Sequence, residues 1–252
     1  MELVIAISLA CLGAILGSFV GVVAERAYTG QSFLTGRSRC NSCARFLTPA
    51  DLVPIVSYLA TRGTCRGCGS RVPAAYLFLE GTLALTFFAA YLVLGLTIVL
   101  PVFLIALAVL AFIVVYDLRH TVVPTIASNA LMALGALIAV LRADSLDDLG
   151  ITVMIAGLIG LGFFLLYALS KGRAMGLGDS PIALALSLMC APYAYGGLLL
   201  SFWIGAVIGI LILVLRRGGP RMGIEVPFVP FLAIGYLLAF FFSWNPLDIL
   251  ML

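Results

Sequence analysis

Long apolar segments separated by short polar links dominate the chain, and most of them run for 17 or more residues rich in Leu, Ala and Gly. A transmembrane helix needs about 20 mostly apolar residues, whereas a membrane β-barrel would show short alternating strands. The pattern therefore predicts an all-α polytopic membrane protein with about eight transmembrane helices. The predicted spans cover residues 3–24, 76–95, 99–116, 125–141, 149–169, 181–191, 194–215 and 227–243.

The first and sixth apolar segments need separate arguments. The run from Leu3 to Ala24 has no Lys or Arg before it, and it is longer than the core of a signal peptide, so we expect a retained span. The sixth segment, 181–191, is too short to cross a bilayer unaided. We expect it either to pair closely with the next span across the Ala191-Pro192-Tyr193 break or to be partly inserted.

Composition narrows the possible functions. Hydrophobic residues make up 63% of the 252 residues and charged residues only 10%, against roughly 25% charged residues in soluble domains. No separate soluble catalytic domain fits, so we expect one integral membrane domain over residues 1–252. The net charge of +3 comes from 14 basic and 11 acidic residues without a basic tail. We therefore expect membrane lipid, and no nucleic acid, as a partner.

Basic residues predict how the chain is oriented in the membrane. Thirteen of the 14 fall on one side of the predicted spans, and only Arg142 lies on the other side, near Asp144, Asp147 and Asp148. The positive-inside rule makes the basic side cytoplasmic, so both termini are expected outside. The thirteen are Arg26, Arg37, Arg39, Arg45, Arg62, Arg66, Arg71, Arg119, Lys171, Arg173, Arg216, Arg217 and Arg221.

The loop over residues 27–74 is the only long polar segment, and it contains two Cys-x-x-Cys pairs separated by 21 residues. This spacing is typical of a zinc ribbon held by four thiolates, with Gly67 and Gly69 supplying the tight turn. Two disulfides are the alternative, which a reducing cytosol disfavours. Four thiolates leave no open coordination position, so we expect a structural zinc. The predicted ligands are Cys40, Cys43, Cys65 and Cys68.

Two aspartates at the predicted cytoplasmic boundary are candidate functional residues, because ionisable groups are costly at membrane depth. Asp117 ends the third span, and Asp179 follows Met175-Gly176-Leu177-Gly178. Each has a simpler explanation. Arg119 or His120 could neutralise Asp117, and Asp179 or Ser180 could cap a helix that begins at Pro181.

The two aspartates together favour a more specific chemistry. Two facing carboxylates, one ionised to activate water and one protonated to polarise a carbonyl, are the catalytic groups of an aspartic protease. The glycines at 176 and 178 would allow the close backbone approach that brings the acids together.

Motifs along nearly the whole chain give it a resemblance to the type IV prepilin peptidases, also called prepilin leader peptidases or methyltransferases. The motifs are Gly17-Ser18-Phe19, Val22-Val23, Arg26, the two Cys-x-x-Cys pairs, Val53-Pro54-Ile55-Val56-Ser57-Tyr58-Leu59, Arg62-Gly63, Tyr76, Glu80, the Asp117 to Pro124 segment, Gly176-Leu177-Gly178-Asp179, Val226-Pro227-Phe228 and Pro230-Phe231-Leu232-Ala233.

The resemblance implies catalytic acids at Asp117 and Asp179 and a location in the bacterial inner membrane. The implied reaction is cleavage of the basic leader from a prepilin or pseudopilin, after a glycine and on the cytoplasmic side. Such a substrate carries a transmembrane helix of its own. Many family members also methylate the new N-terminus with S-adenosylmethionine, and the cysteine loop is similar to that bifunctional form.

Three positions depart from the family pattern. Gly21 stands where the family usually has asparagine, Thr125 where it has Asp or Asn, and Pro181 where it has lysine. The missing lysine could change rate, selectivity or one activity, and Arg173 is a nearby candidate to replace it.

Two other functional classes are compatible with the same residues. A transporter or proton relay would use the two acids as carriers, but its sites usually lie near the midplane in repeated, broken helices. A non-catalytic scaffold for pilus or secretion assembly would bind partners through the cysteine loop and would tolerate loss of both acids.

Overall fold

A computed structural model describes residues 1–30, 32, 36–173, 175–215 and 226–246. Within these ranges the regular structure is helical, apart from two isolated β-bridges that pair Arg39 with Phe46 and Thr64 with Arg71. The α-helices are α1 (Glu2–Thr29), α2 (Val56–Ala60), α3 (Ala74–Leu94), α4 (Val99–His120), α5 (Thr125–Arg142), α6 (Leu146–Ser170), α7 (Asp179–Met189), α8 (Ala194–Leu215) and α9 (Val229–Phe241).

The all-α polytopic prediction is confirmed, and the lengths of the helices refine it. Six helices are long and apolar enough to cross a membrane, namely α1, α3, α4, α5, α6 and α8. The sixth and eighth predicted spans are instead the short helices α7 and α9. Most side chains of both short helices are buried. Because protein surrounds these two helices, their length need not match the thickness of the bilayer.

The described chain divides into two compact units, Met1–Leu96 and Thr97–Leu252. In the first unit, α1 packs along α3. A Cβ at Gly13 would lie 2.5 Å from the carbonyl oxygen of Leu83, and one at Gly17 would lie 2.9 Å from the Cα of Glu80. Glycine is therefore required where the two backbones meet. The expectation of a single domain over 1–252 stays a prediction.

The second unit buries its core around α7 and α9. Gly135 brings α5 onto α7, since a Cβ there would lie 2.6 Å from the carbonyl oxygen of Ala185. The hydroxyls of Ser187 on α7 and Tyr236 on α9 share a hydrogen bond of 2.8 Å. Close helix contact and a buried hydrogen bond thus hold the two short helices in register.

Charged residues mark opposite ends of the helices in the second unit. Arg119 lies in the last turn of α4 and Lys171 follows α6, whereas Arg142 ends α5. The links between these helices are short, so consecutive helices run in opposite directions and Arg142 lies at the far end. Three basic residues used to predict the orientation, Arg216, Arg217 and Arg221, lie outside the described residues.

Candidate functional site

The four predicted metal ligands form one group, here called the four-cysteine cluster (Cys40, Cys43, Cys65 and Cys68). Their sulfurs all lie within 4.8 Å of one another, and those of Cys40 and Cys68 are 3.9 Å apart. A tetrahedral zinc with Zn–S bonds of about 2.3 Å places its sulfurs about 3.8 Å apart. All six cysteines of the chain are free thiols. The cluster therefore has the composition and spacing to hold a zinc ion.

Two similar turns present the sulfurs. In each, the first cysteine donates its N–H across the turn and its carbonyl accepts an N–H, from Ala44 in one turn and Gly69 in the other, at 2.9 Å. These two residues have φ of +58° and +70°. Gly69 thus fulfils its predicted role, whereas Ala44 adopts the same left-handed conformation at a steric cost.

Gly67, the other predicted turn glycine, does not have a positive φ. It lies close to Arg45, since a Cβ there would lie 3.1 Å from the Cδ of that side chain. Its N–H also donates to the sulfur of Cys65 at 3.4 Å.

Hydrogen bonds within the turns favour the thiolate form of Cys40 and Cys68. The backbone N–H groups of Cys43 and Ser42 lower the pKa of the Cys40 thiol to about 6. The hydroxyl and then the backbone N–H of Ser70 lower the pKa of the Cys68 thiol. Because zinc binds thiolates and not thiols, these bonds prepare the cluster for a metal ion.

A second layer of charge supports the cluster. The Arg45 guanidinium lies against the sulfur of Cys65 and donates to Asp51 Oδ2 at 2.8 Å, while Arg66 approaches Asp51 Oδ1 at 3.5 Å. The N–H and hydroxyl of Thr48, and then the two arginines, hold the pKa of Asp51 below its usual range. Asp51 therefore orients the guanidinium groups of Arg45 and Arg66 beside the four-cysteine cluster.

Two acids in the first unit were not among the predicted site residues. Glu25 accepts from the hydroxyl of Tyr76 at 2.6 Å and from the side-chain amide of Asn41 at 3.2 Å. Glu80 is buried and accepts from the N–H of Ile55 at 2.7 Å. These bonds attach the cysteine loop to α1 and α3. Only the costly position of an acid at a helix end could have indicated Glu25 from the sequence.

Asp179 occupies the first turn of α7 and is 8% exposed. Its Oδ2 accepts the N–H of Gly176 at 3.1 Å. The N-cap of α7 is Gly178, and the hydroxyl of Ser180 donates to the carbonyl oxygen of Gly160 on α6 at 2.8 Å. The alternative in which Asp179 or Ser180 caps the helix is therefore wrong, because both side chains are bonded elsewhere.

Asp117 lies near the end of α4 and is 5% exposed. The N–H of Val229, the first residue of α9, bonds to its carboxylate. Its Oδ2 is buried and has no hydrogen-bond partner within the described part of the chain. A carboxylate at the N-terminus of another helix is stabilised by that helix dipole, so the bond to α9 accounts for one oxygen and leaves the other available.

The structure places the two aspartates, here called the acid pair (Asp117 and Asp179), within electrostatic reach of each other inside the second unit. Gly178 makes this approach possible, since a Cβ there would lie 2.8 Å from the Cβ of Val123, just beyond α4. Two like charges close together in a largely buried site are unfavourable, so the state with one proton on the pair is favoured. Such a pair can supply an acid and a base at once.

The three departures from the family pattern occupy defined positions. A Cβ at Gly21 would lie 3.0 Å from the ring of Tyr76, so a larger residue would push on the tyrosine that bonds to Glu25. Pro181 lies in the first turn of α7, where its missing N–H costs nothing. Thr125 begins α5. Arg173 is exposed in the link after α6.

Comparisons with known proteins agree with the motifs. Residues 11–94 match the family described as the bacterial peptidase A24 N-terminal domain. A prepilin leader peptidase/N-methyltransferase from Myxococcus xanthus is 33% identical over 86% of this chain and 66% of its own length. Proteins of the same name from Dichelobacter nodosus and Bacillus subtilis are 32% and 28% identical, over 84% and 92% of this chain and 73% and 92% of their own. No solved structure matches significantly.

Proposed function

Because the chain belongs to the prepilin leader peptidase/N-methyltransferase family, we propose that it is a membrane aspartic endopeptidase whose catalytic residues are Asp117 and Asp179. The observation that carries the proposal is the acid pair itself, two buried carboxylates within electrostatic reach of each other. Each carboxylate accepts a backbone N–H near the start of a helix, and Asp117 keeps one buried oxygen without a partner in the described residues. A purely structural pair would be expected to satisfy that oxygen.

The proposed reaction is hydrolysis of one peptide bond. The ionised member of the acid pair takes a proton from water while the water oxygen attacks the scissile carbonyl, and the protonated member gives its proton to the carbonyl oxygen. Collapse of the tetrahedral intermediate breaks the C–N bond, and the nitrogen leaves with a proton. The products are a leader with a new carboxyl terminus and a mature protein with a new amino terminus.

The proposed substrate is a prepilin or pseudopilin with a basic leader that ends in glycine and a transmembrane helix that follows it. The positive-inside preference would hold such a leader in the cytoplasm, on the side where this chain's own basic residues predict the acid pair to lie. The mature segment would then lie in the inner membrane, with cleavage at the interface, where water reaches the acids.

A labelling experiment tests the proposed orientation. Thr121 and Leu146 are exposed at opposite ends of α5, so Thr121→Cys should react with an impermeant thiol reagent only from the cytoplasm and Leu146→Cys only from outside. The background carries Cys11→Ser and Cys190→Ala, and mass spectrometry assigns each adduct. Labelling of Thr121→Cys from outside would contradict a cytoplasmic acid pair.

The metal has a structural role in this proposal. One zinc bound by the four-cysteine cluster would hold the two turns together, since a loop with so few large apolar residues cannot build much of a core. With four thiolates on the ion, no position is open for water or substrate.

Methylation of the new N-terminus is proposed as a second activity, because the relatives' names include it. S-adenosylmethionine would supply the methyl group. The described residues contain no strand followed by a glycine-rich turn and a helix, the usual nucleoside-binding arrangement. The donor's site is therefore not located, and the peptidase reaction is derived without it.

The test is an assay of purified protein with a panel of precursors that carry a basic leader ending in glycine. Mass spectrometry of the products should show cleavage directly after that glycine. Asp147→Asn, at an exposed acid of the second unit, is the matched control for Asp117→Asn and Asp179→Asn. Intact precursor with every panel member, or cleavage at the wild-type rate by either variant of the acid pair, would overturn the proposal.

A further inference from the structure

Three serines are buried among the helices of the second unit, and one of them differs from the other two. Ser187 and Ser201 each donate to the carbonyl oxygen four residues earlier, at 2.7 Å. Ser128, on α5, is 3% exposed, and its hydroxyl has no hydrogen-bond partner among the described residues. Burial of an unpaired hydroxyl opposes folding, so this one needs an explanation.

Two contacts show which neighbour Ser128 faces. Gly135 meets Ala185 on α7, and Val123 meets Gly178 just before α7. Ser128 lies two turns before Gly135 on the same face of α5, about 10 Å toward the start of the helix. Asp179 precedes Ala185 by about 9 Å along α7. Since the two helices run in the same direction between these contacts, Ser128 faces the first turn of α7.

Asp117 reaches the same depth from the preceding helix. Its carbonyl oxygen accepts the N–H of Thr121, and the N–H of Ser128 donates to the carbonyl oxygen of Pro124. Both residues therefore lie one turn away from the short link between the antiparallel helices α4 and α5. The side chains of Asp117, Ser128 and Asp179 thus occur at one level on three adjacent helices.

This level holds one buried donor and one buried acceptor that both lack partners in the described chain, the hydroxyl of Ser128 and the Oδ2 of Asp117. We propose that Ser128 is a positioning residue, whose hydroxyl donates a hydrogen bond to Asp117 Oδ2 in the transition state of cleavage and so holds that carboxylate toward the reacting water. This inference rests on the proposed peptidase function. Ser128 acts only through Asp117 and makes no contact with the scissile bond.

The positioning role predicts a separation of activity from stability. Loss of a hydrogen bond to a charged group lowers kcat about 10-fold to 100-fold, while KM stays unchanged because substrate binding is not touched. Ser128→Ala removes a hydroxyl that has no partner among the described residues, so its melting temperature should not fall. Ser187→Ala and Ser201→Ala remove satisfied hydroxyls, so they should melt earlier and keep the wild-type kcat.

The experiment measures kcat and KM for a synthetic precursor with a basic leader, a glycine and a transmembrane segment. Ser128→Thr keeps the hydroxyl, and Ser128→Val has nearly the same volume without it. We expect Thr to retain kcat and both Val and Ala to lose it. Wild-type kcat in Ser128→Ala, or equal kcat in the Thr and Val variants, would overturn the inference.

The same assay separates this inference from the proposed function. If Asp117→Asn is inactive and Ser128→Ala has wild-type kcat, only the role of Ser128 is wrong. If Asp117→Asn cleaves normally, the peptidase proposal itself is wrong, and the inference is overturned with it.

Discussion

The four-cysteine cluster and the acid pair differ in which charged groups lie beside them. Around the cluster, backbone N–H groups bond to sulfur, Asp51 bonds to Arg45, and Arg45 lies against Cys65. In the acid pair, the neighbouring ionisable group is a second carboxyl group, and Asp117 keeps a buried oxygen without a partner in the described residues. Opposite charges beside the cluster hold its shape, whereas a buried carboxylate beside a second acid provides reactivity.

The largest expected effect comes from the acid pair. Asp117→Asn and Asp179→Asn should each lower the rate of precursor cleavage by about 10²–10⁴-fold, because neither role of the pair can be filled by an amide. The fold should survive, since an amide oxygen can still accept the N–H bonds. The size of a co-expressed precursor gives the result. Mature product at wild-type yield from either variant would mean that the acid pair is not catalytic. The proposed difference in role between the acid pair and the four-cysteine cluster would then be wrong.

The next effect concerns the metal. The wild-type protein should contain one zinc per chain, and Cys65→Ser should lose it, because a hydroxyl replaces a thiolate ligand. Elemental analysis of detergent-purified protein measures the stoichiometry, with Cys11→Ser as a control that keeps the metal. Zinc at unchanged stoichiometry in Cys65→Ser would show that the cluster is not the binding site.

Asp51→Asn tests the second layer and should weaken zinc binding about 10-fold to 100-fold. The pKa of Asp51 is lowered in the folded loop, so its carboxylate stabilises the loop above the unfolded pKa of about 3.9. That contribution is lost as the pH falls through the folded pKa. Chelator competition near pH 7 should therefore distinguish wild type from variant. Equal affinities there would mean that Asp51 does not support the cluster.

The smallest effect is expected at Ala44. Its φ of +58° matches that of Gly69 in the other turn, so Ala44→Gly should stabilise the loop by about 1 kcal/mol. Thermal unfolding of the zinc-bound protein measures the change, with Gly69→Ala expected to shift the midpoint the opposite way. A lower midpoint in Ala44→Gly would contradict the equivalence of the two turns.

Most of the fold could be predicted because hydropathy alone identifies a long lipid-facing helix. The lengths of α7 and α9 could not be predicted from hydropathy, because protein surrounds these two helices and the thickness of the bilayer does not set their length. The cysteine spacing likewise predicted that the four sulfurs form one cluster, because each Cys-x-x-Cys turn has a local geometry.

The acid pair was only partly predictable. Local sequence suggests that Asp179 or Ser180 caps α7, and only the contact of Ser180 with Gly160 on α6 excludes Ser180. The bond between Glu25 and Tyr76 joins residues far apart in sequence, and no spacing rule indicates it. The hydroxyl of Ser128 has no partner in the described residues. This follows from how three helices pack, which the sequence pattern does not indicate.

A double-mutant cycle on the acid pair tests the central claim most directly. If Asp117 and Asp179 act as one catalytic unit, Asp117→Asn combined with Asp179→Asn should cleave a defined precursor no more slowly than the slower single variant. The rate constant for single-turnover cleavage by purified protein is the quantity to compare. Two losses that multiply in the double variant would mean that the acids act independently and would contradict the account.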